Sequence, residues 1–305
     1  MSYNTEIKKE LTGLYSSKIC CEKAALATYF AILAEEKKTG IFIKTENINI
    51  ARRINVLCKK ILDIEPEMSF KQTKKKEKII VTLKITDIIS IEKLKSCLKL
   101  FHDGTNTFFS KIEPEFTLSQ CCKCSSIKAA FLSCGLISSP KKAYHLEFVT
   151  HKKKVSEDIL STLIELGFEP KISLRKSNHV IYIKNNEEIY KFLSTLNLKR
   201  SMAKFYEIKS EKNLKNTINR QLNCENANEN KRINSSVIQI QAIKTLKKNN
   251  LFDTLSIDLQ KTAQLRIENP DASLSELCEI AAFPITKSGL NHRLKKIISI
   301  AQCKN

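Results

Sequence analysis

A duplicated segment constrains this chain more than any other feature. "CCEKAALATYFAILA" runs from Cys20 to Ala34, and "CCKCSSIKAAFLSCG" runs from Cys121 to Gly135. An offset of 101 aligns Cys20 with Cys121, Cys21 with Cys122 and Phe30 with Phe131. Further along, "ILDIEPEMSF" (61–70) is similar to "ELGFEPKISL" (165–174), with Glu65-Pro66 matching Glu169-Pro170 and Ser69 matching Ser173. The offset there is 104, the drift that a few loop residues cause. The two likenesses are short but share one order, which predicts two copies of one structural unit.

Hydrophobic period sets the contents of each copy. Residues 20–34 are apolar, with small residues and neither Gly nor Pro, and predict a helix. "GIFIKT" (40–45) alternates as a strand does. Ile50, Ile54, Leu57, Cys58 and Ile61 mark one face of a helix over 47–62. "EMSFKQ" and "KIIVTLKI" read as a strand pair around the basic turn Lys74-Lys75-Lys76, and "ISIEKLKSCLKLF" closes the unit as a helix. The second copy repeats the order: helix 119–134, strand 144–150, helix 153–166, strands 170–174 and 179–184, helix 186–195. Helices mixed with antiparallel hairpins place the chain in the α+β class. Residues 201–250, with their Asn-rich stretch and no Pro, predict one or two long connecting helices. The expected boundaries are 1–110 for the first repeat, 111–200 for the second, 201–250 for the connecting helices and 251–305 for an all-α C-terminal domain.

Charge narrows the partners. Among 305 residues, 52 Lys and Arg oppose 32 Asp and Glu, a formal net charge of +20. A surplus of that size favours anionic partners, nucleic acid above all. The polar start "MSYNTEIKKELTGLY" is no secretory signal, and no run is long and apolar enough for a membrane span. A cytoplasmic protein with no membrane partner is expected, and its eleven cysteines are then expected to be reduced. Residues 256–305 hold seven Lys or Arg against five Asp or Glu, so most of the surplus lies upstream, in runs such as 74–76 and 152–154.

The last fifty residues carry the clearest functional pattern. "SIDLQKTAQLRIENP" (256–270) predicts a helix with Ile257, Leu259, Ala263, Leu265 and Ile267 inward, stopping before Pro270. Ser273 followed by Glu276 is a capping box for a second helix, which Pro284 ends. Thr286 can cap a third. This is the layout of a helix-turn-helix module, spanning Ser273 to Asn305. In "TKSGLNHRLKKI" (286–297) the spacing puts Leu290, Leu294, Ile297 and Ala301 on the core side. Ser288, Asn291, His292 and Lys295 then face solvent, where they can reach base edges. Lys287, Arg293 and Lys296 flank them as phosphate contacts. The plainer alternative is an ordinary amphipathic surface helix.

Three long motifs add a resemblance. "CCKCSSIKAAFLSCGLISSPKKAYHLEF", "NCENANENKRINSSVIQIQAI" and "TKSGLNHRLKKI" together resemble the WhiA family of bacterial regulators of sporulation and cell division. The match runs in order from "TEIKKEL" to the end of the chain and is weakest in the first repeat. The resemblance implies a duplicated LAGLIDADG homing-endonuclease-like domain. It also implies a helix-turn-helix similar to the one by which sigma factors read promoters, and a transcription factor without nuclease activity. A nuclease of that fold holds divalent metal with one acidic residue at the end of each motif helix. The alignment puts Leu33 and Cys134 there, neither of them a hard oxygen ligand; Glu35 and Glu36 are nearby in the first repeat only.

Other chemistries find less support. Cys121, Cys122 and Cys124 suggest zinc, but a structural site wants four ligands and no partner pair lies close in sequence. His145, His151 or Cys20-Cys21 would have to complete it, and the last only if the repeats pack face to face. The expectation is no metal, with the cysteines serving as small residues at a helix crossing. No cysteine is paired with a histidine as nucleophile and base, and with six Gly in the chain there is no phosphate loop. No cofactor, small-molecule substrate or catalytic residue is expected. The sequence therefore predicts a nucleoid-associated, sequence-specific DNA-binding regulator linked to cell division, chromosome segregation or sporulation. Its partners would be promoter DNA, with RNA polymerase and division proteins as further candidates. The alternative is a non-catalytic interaction factor held near the nucleoid by charge. In the favoured reading the LAGLIDADG-like domain adds a saddle on duplex DNA or serves as a protein-binding surface, with the long helices setting its distance from the reading domain.

Overall fold

The computed structural model describes residues 2–14, 16–72, 79–99 and 111–303. The basic turn at 74–76 and His102 lie outside these. The chain divides into two compact units, Met1–Lys212 and Asn213–Asn305.

The first unit is built on two helices that the repeat predicts, α2 (Ile19–Leu33) and α5 (Gln120–Cys134); a short N-terminal helix, α1 (Tyr3–Leu11), precedes them. Past its first turn α2 has almost no polar face: Ala24, Leu26, Ala27, Phe30 and Ala31 are all buried. A helix that is apolar all round belongs inside a core. The two helices lie against each other through small residues. Buried Thr28 and Ser126 share a hydrogen bond of 2.8 Å, and Ser125 Oγ donates to the Cys21 carbonyl at 2.7 Å. Helical spacing puts Ala24 and Ala31 on the face of Thr28, and Cys122, Ala129 and Ala130 on the face of Ser126.

Each central helix leads straight into a strand. β1 (Ala34–Lys37) follows α2 and β5 (Gly135–Ile137) follows α5. The first repeat continues with β2 (Gly40–Thr45), α3 (Ile48–Leu57) with a π turn at Cys58–Leu62, β3 (Glu67–Gln72), β4 (Ile79–Ile85) and α4 (Ile88–Leu98). The second continues with β6 (Leu146–Thr150), α6 (Lys153–Glu165), β7 (Lys171–Arg175), β8 (Asn178–Ile183) and α7 (Asn186–Thr195). The two antiparallel sheets have one topology, β1-β2-β4-β3 and β5-β6-β8-β7. Ala34 pairs with Ile43 as Gly135 pairs with Phe148. The duplication extends to backbone detail. Asp63 (φ 50°) and Gly167 (φ 80°), at the offset of 104, both use the left-handed conformation to leave a helix. The cores differ in filling: in the second repeat Phe131, Phe148, Phe168 and Phe192 pack edge to face with centroids 5.5–6.1 Å apart.

The connecting region is one helix, α8 (Lys199–Lys248). Its start belongs to the first unit and is fastened by α1. Glu10 accepts from the backbone N–H of Arg200 and of Ser201, both at 2.9 Å, a carboxylate satisfying free donors at a helix N-terminus. Tyr3 donates to the Ser201 carbonyl and Lys204 pairs with Glu6.

The second unit packs the end of α8 against α9 (Ile257–Glu268), α10 (Leu274–Ile280) and α11 (Lys287–Cys303), around Ile243, Leu246, Leu259, Leu277, Leu290, Leu294 and Ile297. One expectation is corrected: Ile257 of α9 is exposed, and Thr262 and Arg266 take inward places instead. They can because most of the polarity they bring inward is bonded, although Arg266 Nε has no partner among the described residues. Thr262 donates to the Asp258 carbonyl, and Arg266 Nη1 donates to the carbonyls of Asn269 and Ala272. Among the described residues no helix is long and apolar enough to cross a membrane.

Because the central crossing is filled by small side chains, a larger one has no room. Ala24→Leu, at a fully buried position on the Thr28 face, should lower stability by about 1–3 kcal/mol, read as a lower urea midpoint of the full chain. An unchanged midpoint would mean that this face is looser than described.

Candidate nucleic-acid interface

The elements that hold α11 are set by local chemistry. The predicted capping box is present: Glu276 N–H donates to Ser273 Oγ at 3.2 Å, and Ser273 N–H donates to Glu276 Oε2 at 2.6 Å. These bonds hold the Glu276 carboxyl below its usual range. Buried Arg266 and Ser236, which donates to the Pro270 carbonyl, fix the turn between α9 and α10. Thr286 Oγ1 accepts from Gly289 N–H at 3.2 Å and so caps α11. Arg266 was not singled out as structural in the sequence. Its only signal is a place three residues after Ala263, on the inward stripe.

Leu290, Leu294, Ile297 and Ala301 are buried, as their spacing predicts. Lys287, Ser288, His292, Lys295 and Lys296 are exposed, and Asn291 is half-buried beside them. Arg293 differs from the other flanking cations. Its guanidinium bonds Asp258 Oδ2 at 3.1 Å and lies over the Phe283 ring, 5.7 Å from its centroid. The freely offered cations of α11 are therefore lysines, around a short polar stripe made by Ser288, Asn291, His292 and Lys295.

The first unit places Leu33 and Cys134 at equivalent positions, the last residues of α2 and α5. Lysine ammonium groups sit at both helix ends. Lys152 Nζ donates to the carbonyls of Ala31 (2.8 Å) and Ala34 (3.0 Å), and Lys8 Nζ donates to the Leu132 carbonyl (3.1 Å). Cations at helix C-termini satisfy carbonyls and oppose the dipole. Burial lowers the Lys152 ammonium to about 8, against the nearby Glu35 charge, and lowers Lys8 against the Cys134 thiol. Glu36 is engaged by Lys95 at 3.3 Å. Ammonium groups thus stand on the last carbonyls of both central helices.

At the opposite ends of the same helices, the thiol sulfurs of Cys20, Cys21, Cys121 and Cys122 lie within 4.8 Å of one another. The partner pair that the local sequence lacks is supplied by the other repeat; Cys124 is not part of the cluster. Burial pushes the Cys21 thiol up to about 12 and Cys122 upward, while the Ser119 hydroxyl and Cys21 draw Cys121 down to about 7. His145 is committed elsewhere, to Glu147 at 3.0 Å.

Three family models match in order: the WhiA N-terminal LAGLIDADG-like domain over 19–87, the WhiA LAGLIDADG-like domain over 124–215 and the WhiA C-terminal HTH domain over 218–301. A relative from Caldicellulosiruptor saccharolyticus, "Probable cell division protein WhiA", is 36% identical, covering 99% of this chain and 95% of its own. Another of the same name, from Alkaliphilus metalliredigens, is 33% identical over 99% of this chain and 98% of its own. The crystal structure of full-length DUF199/WhiA from Thermatoga maritima has the same fold, with a TM-score of 0.57 at 24% identity, covering 99% of this chain and 98% of that one.

The lysines at the helix ends generate a stability prediction. Lys152→Ala strips two carbonyls of a charged donor and should cost about 1.5–3 kcal/mol. Lys153→Ala, on an exposed side chain, should stay within about 0.5 kcal/mol. Chemical denaturation of both variants measures the difference, and equal effects would contradict the assigned role. With its duplicated LAGLIDADG-like domains and helix-turn-helix matched in order along nearly its whole length, this protein belongs to the WhiA family.

Proposed function

We propose that this protein is a sequence-specific DNA-binding regulator of transcription acting in cell division, and that its LAGLIDADG-like unit does not cleave DNA. The observation that carries the reading is α11: a capped helix after a fixed turn, buried on one side, with Ser288, Asn291, His292 and Lys295 on or beside the other. Short polar side chains suit base edges in the major groove, and the Lys287 and Lys296 ammonium groups suit the phosphates on either side. Arg293 joins the phosphate contacts by exchanging Asp258 for a phosphate oxygen. The name of the relatives supports a place in cell division, and the matched helix-turn-helix supports DNA as the ligand. Promoter DNA in the cytoplasmic nucleoid is the proposed target, with RNA polymerase and division proteins as the partners met there. Lys8 and Lys152 at the helix ends, and Leu33 and Cys134 in the carboxylate positions, support the non-catalytic reading.

A second reading has its own support. On the sheets of the first unit, cations stand beside carboxylates: Lys84 lies 3.5 Å from Glu67, and Arg175 lies 3.6 Å from Glu147. Mixed charge of this kind suits a protein partner better than a phosphate backbone. In this reading the first unit is an interaction surface and the protein chiefly a nucleoid-associated division factor.

The test compares affinity for a selected duplex and a random one across a salt series. Lys287→Ala and Lys296→Ala should weaken both duplexes alike and each lower the salt slope by about one. Asn291→Ala and His292→Ala should cost about 1–3 kcal/mol on the selected duplex alone. Asp258→Asn, which frees Arg293, should tighten both. If every variant acts alike on the two duplexes, α11 is not the reading element.

A further inference from the structure

The four-cysteine cluster lies outside everything used above, at the N-terminal ends of α2 and α5. We propose that Cys20, Cys21, Cys121 and Cys122 form a tetrathiolate zinc site that clasps the two repeats together.

Geometry comes first. A tetrahedral zinc takes Zn–S bonds of about 2.3 Å, which sets sulfurs about 3.8 Å apart. The four sulfurs already lie within 4.8 Å of one another, so small side-chain rotations close the tetrahedron. The donors are symmetric: Cys20 and Cys21 are the second and third residues of α2, and Cys121 and Cys122 are the second and third of α5. The bond from Ser125 to the Cys21 carbonyl holds the two ends in register.

Electrostatics agree. Four thiolates around one zinc leave a net charge of −2. Both helices present free amides there, since neither N-cap residue, Lys18 or Ser119, makes a side-chain capping bond. Positive helix ends stabilise thiolates, and the Lys18 charge acts on Cys121 in the same sense. Cys21 and Cys122 are buried, which shields the bonds, while Cys20 is exposed and leaves a route for entry. Binding takes all four sulfurs to thiolates, so the protons still held by the thiols leave as the metal arrives, with no change of oxidation state. Cys124 and Cys134, two part-buried cysteines of the same helix α5, lie outside the cluster and serve as controls.

The experiment uses the full chain. Protein purified without chelator should hold about one zinc per chain by elemental analysis. Reduced, metal-free protein should take up one equivalent of cobalt(II), with the intense charge-transfer bands of tetrahedral thiolate coordination. Cys21→Ser with Cys122→Ser should abolish uptake, and Cys124→Ser and Cys134→Ser should leave it intact. Cys20→Ser, at an exposed position, leaves three thiolates and should weaken cobalt retention against a chelator about tenfold or more. Absence of zinc together with no cobalt uptake by the reduced chain would overturn the proposal. So would an intact mass showing that these cysteines are disulfide-bonded while the protein holds no metal. Neither outcome bears on DNA binding by α11.

Discussion

The packing of α2 on α5 is the interaction on which the first unit depends. Both helices are buried on nearly every side, so neither can exist without the other repeat. Their contact is made by alanines and by one shared hydroxyl pair, Thr28 with Ser126, and such small groups let two backbones approach closely. Each helix ends in a strand, so fixing the helix pair fixes the first strand of each sheet, and the register of the other strands follows. What lies at the two ends of the pair then decides the chemistry. One end carries Lys8 and Lys152 on helix carbonyls; the other gathers four thiols.

The second unit rests on a different device. It is small, and its apolar core alone would leave the turn between α9 and α10 loosely held. Arg266 corrects this by burying a guanidinium against the carbonyls of that turn, and the capping box pins the start of α10. A buried cation of this kind is costly unless its donors are used; the turn carbonyls engage Nη1, while Nε is left without a partner among the described residues. The result is a third helix whose orientation is set by its neighbours, with its polar side left for a partner. Charge is local here: Arg266 is spent on structure and Arg293 on Asp258, so the outward field of α11 comes from lysines.

Much of this was legible in the sequence because it is periodic or local. The central helices, the hairpins and the capping box all announce themselves within a few residues. The repeat offset aligned Leu33 with Cys134 at equivalent helix ends. What escaped was long-range or short. β1 and β5 are three or four residues long and continue directly from helices, so no alternation marks them. The contact of Lys152 with Ala31 joins residues from different repeats, and nothing local signals it. The cysteine quartet shows the same limit. The offset of 101 paired the cysteines on paper, but only the side-by-side packing of two helices brings four sulfurs into one cluster. At α11 the exposed stripe was readable from spacing, whereas the Arg293 pair with Asp258 depends on how α9 lies against α11.

The central claim is that this chain reads DNA sequence. The most direct test is to recover fragments of the source genome bound by the purified full-length protein at near-physiological salt. The account predicts enrichment of a few promoter fragments that share a short motif. Uniform recovery of the genome would contradict it, leaving a basic protein held to DNA by charge alone.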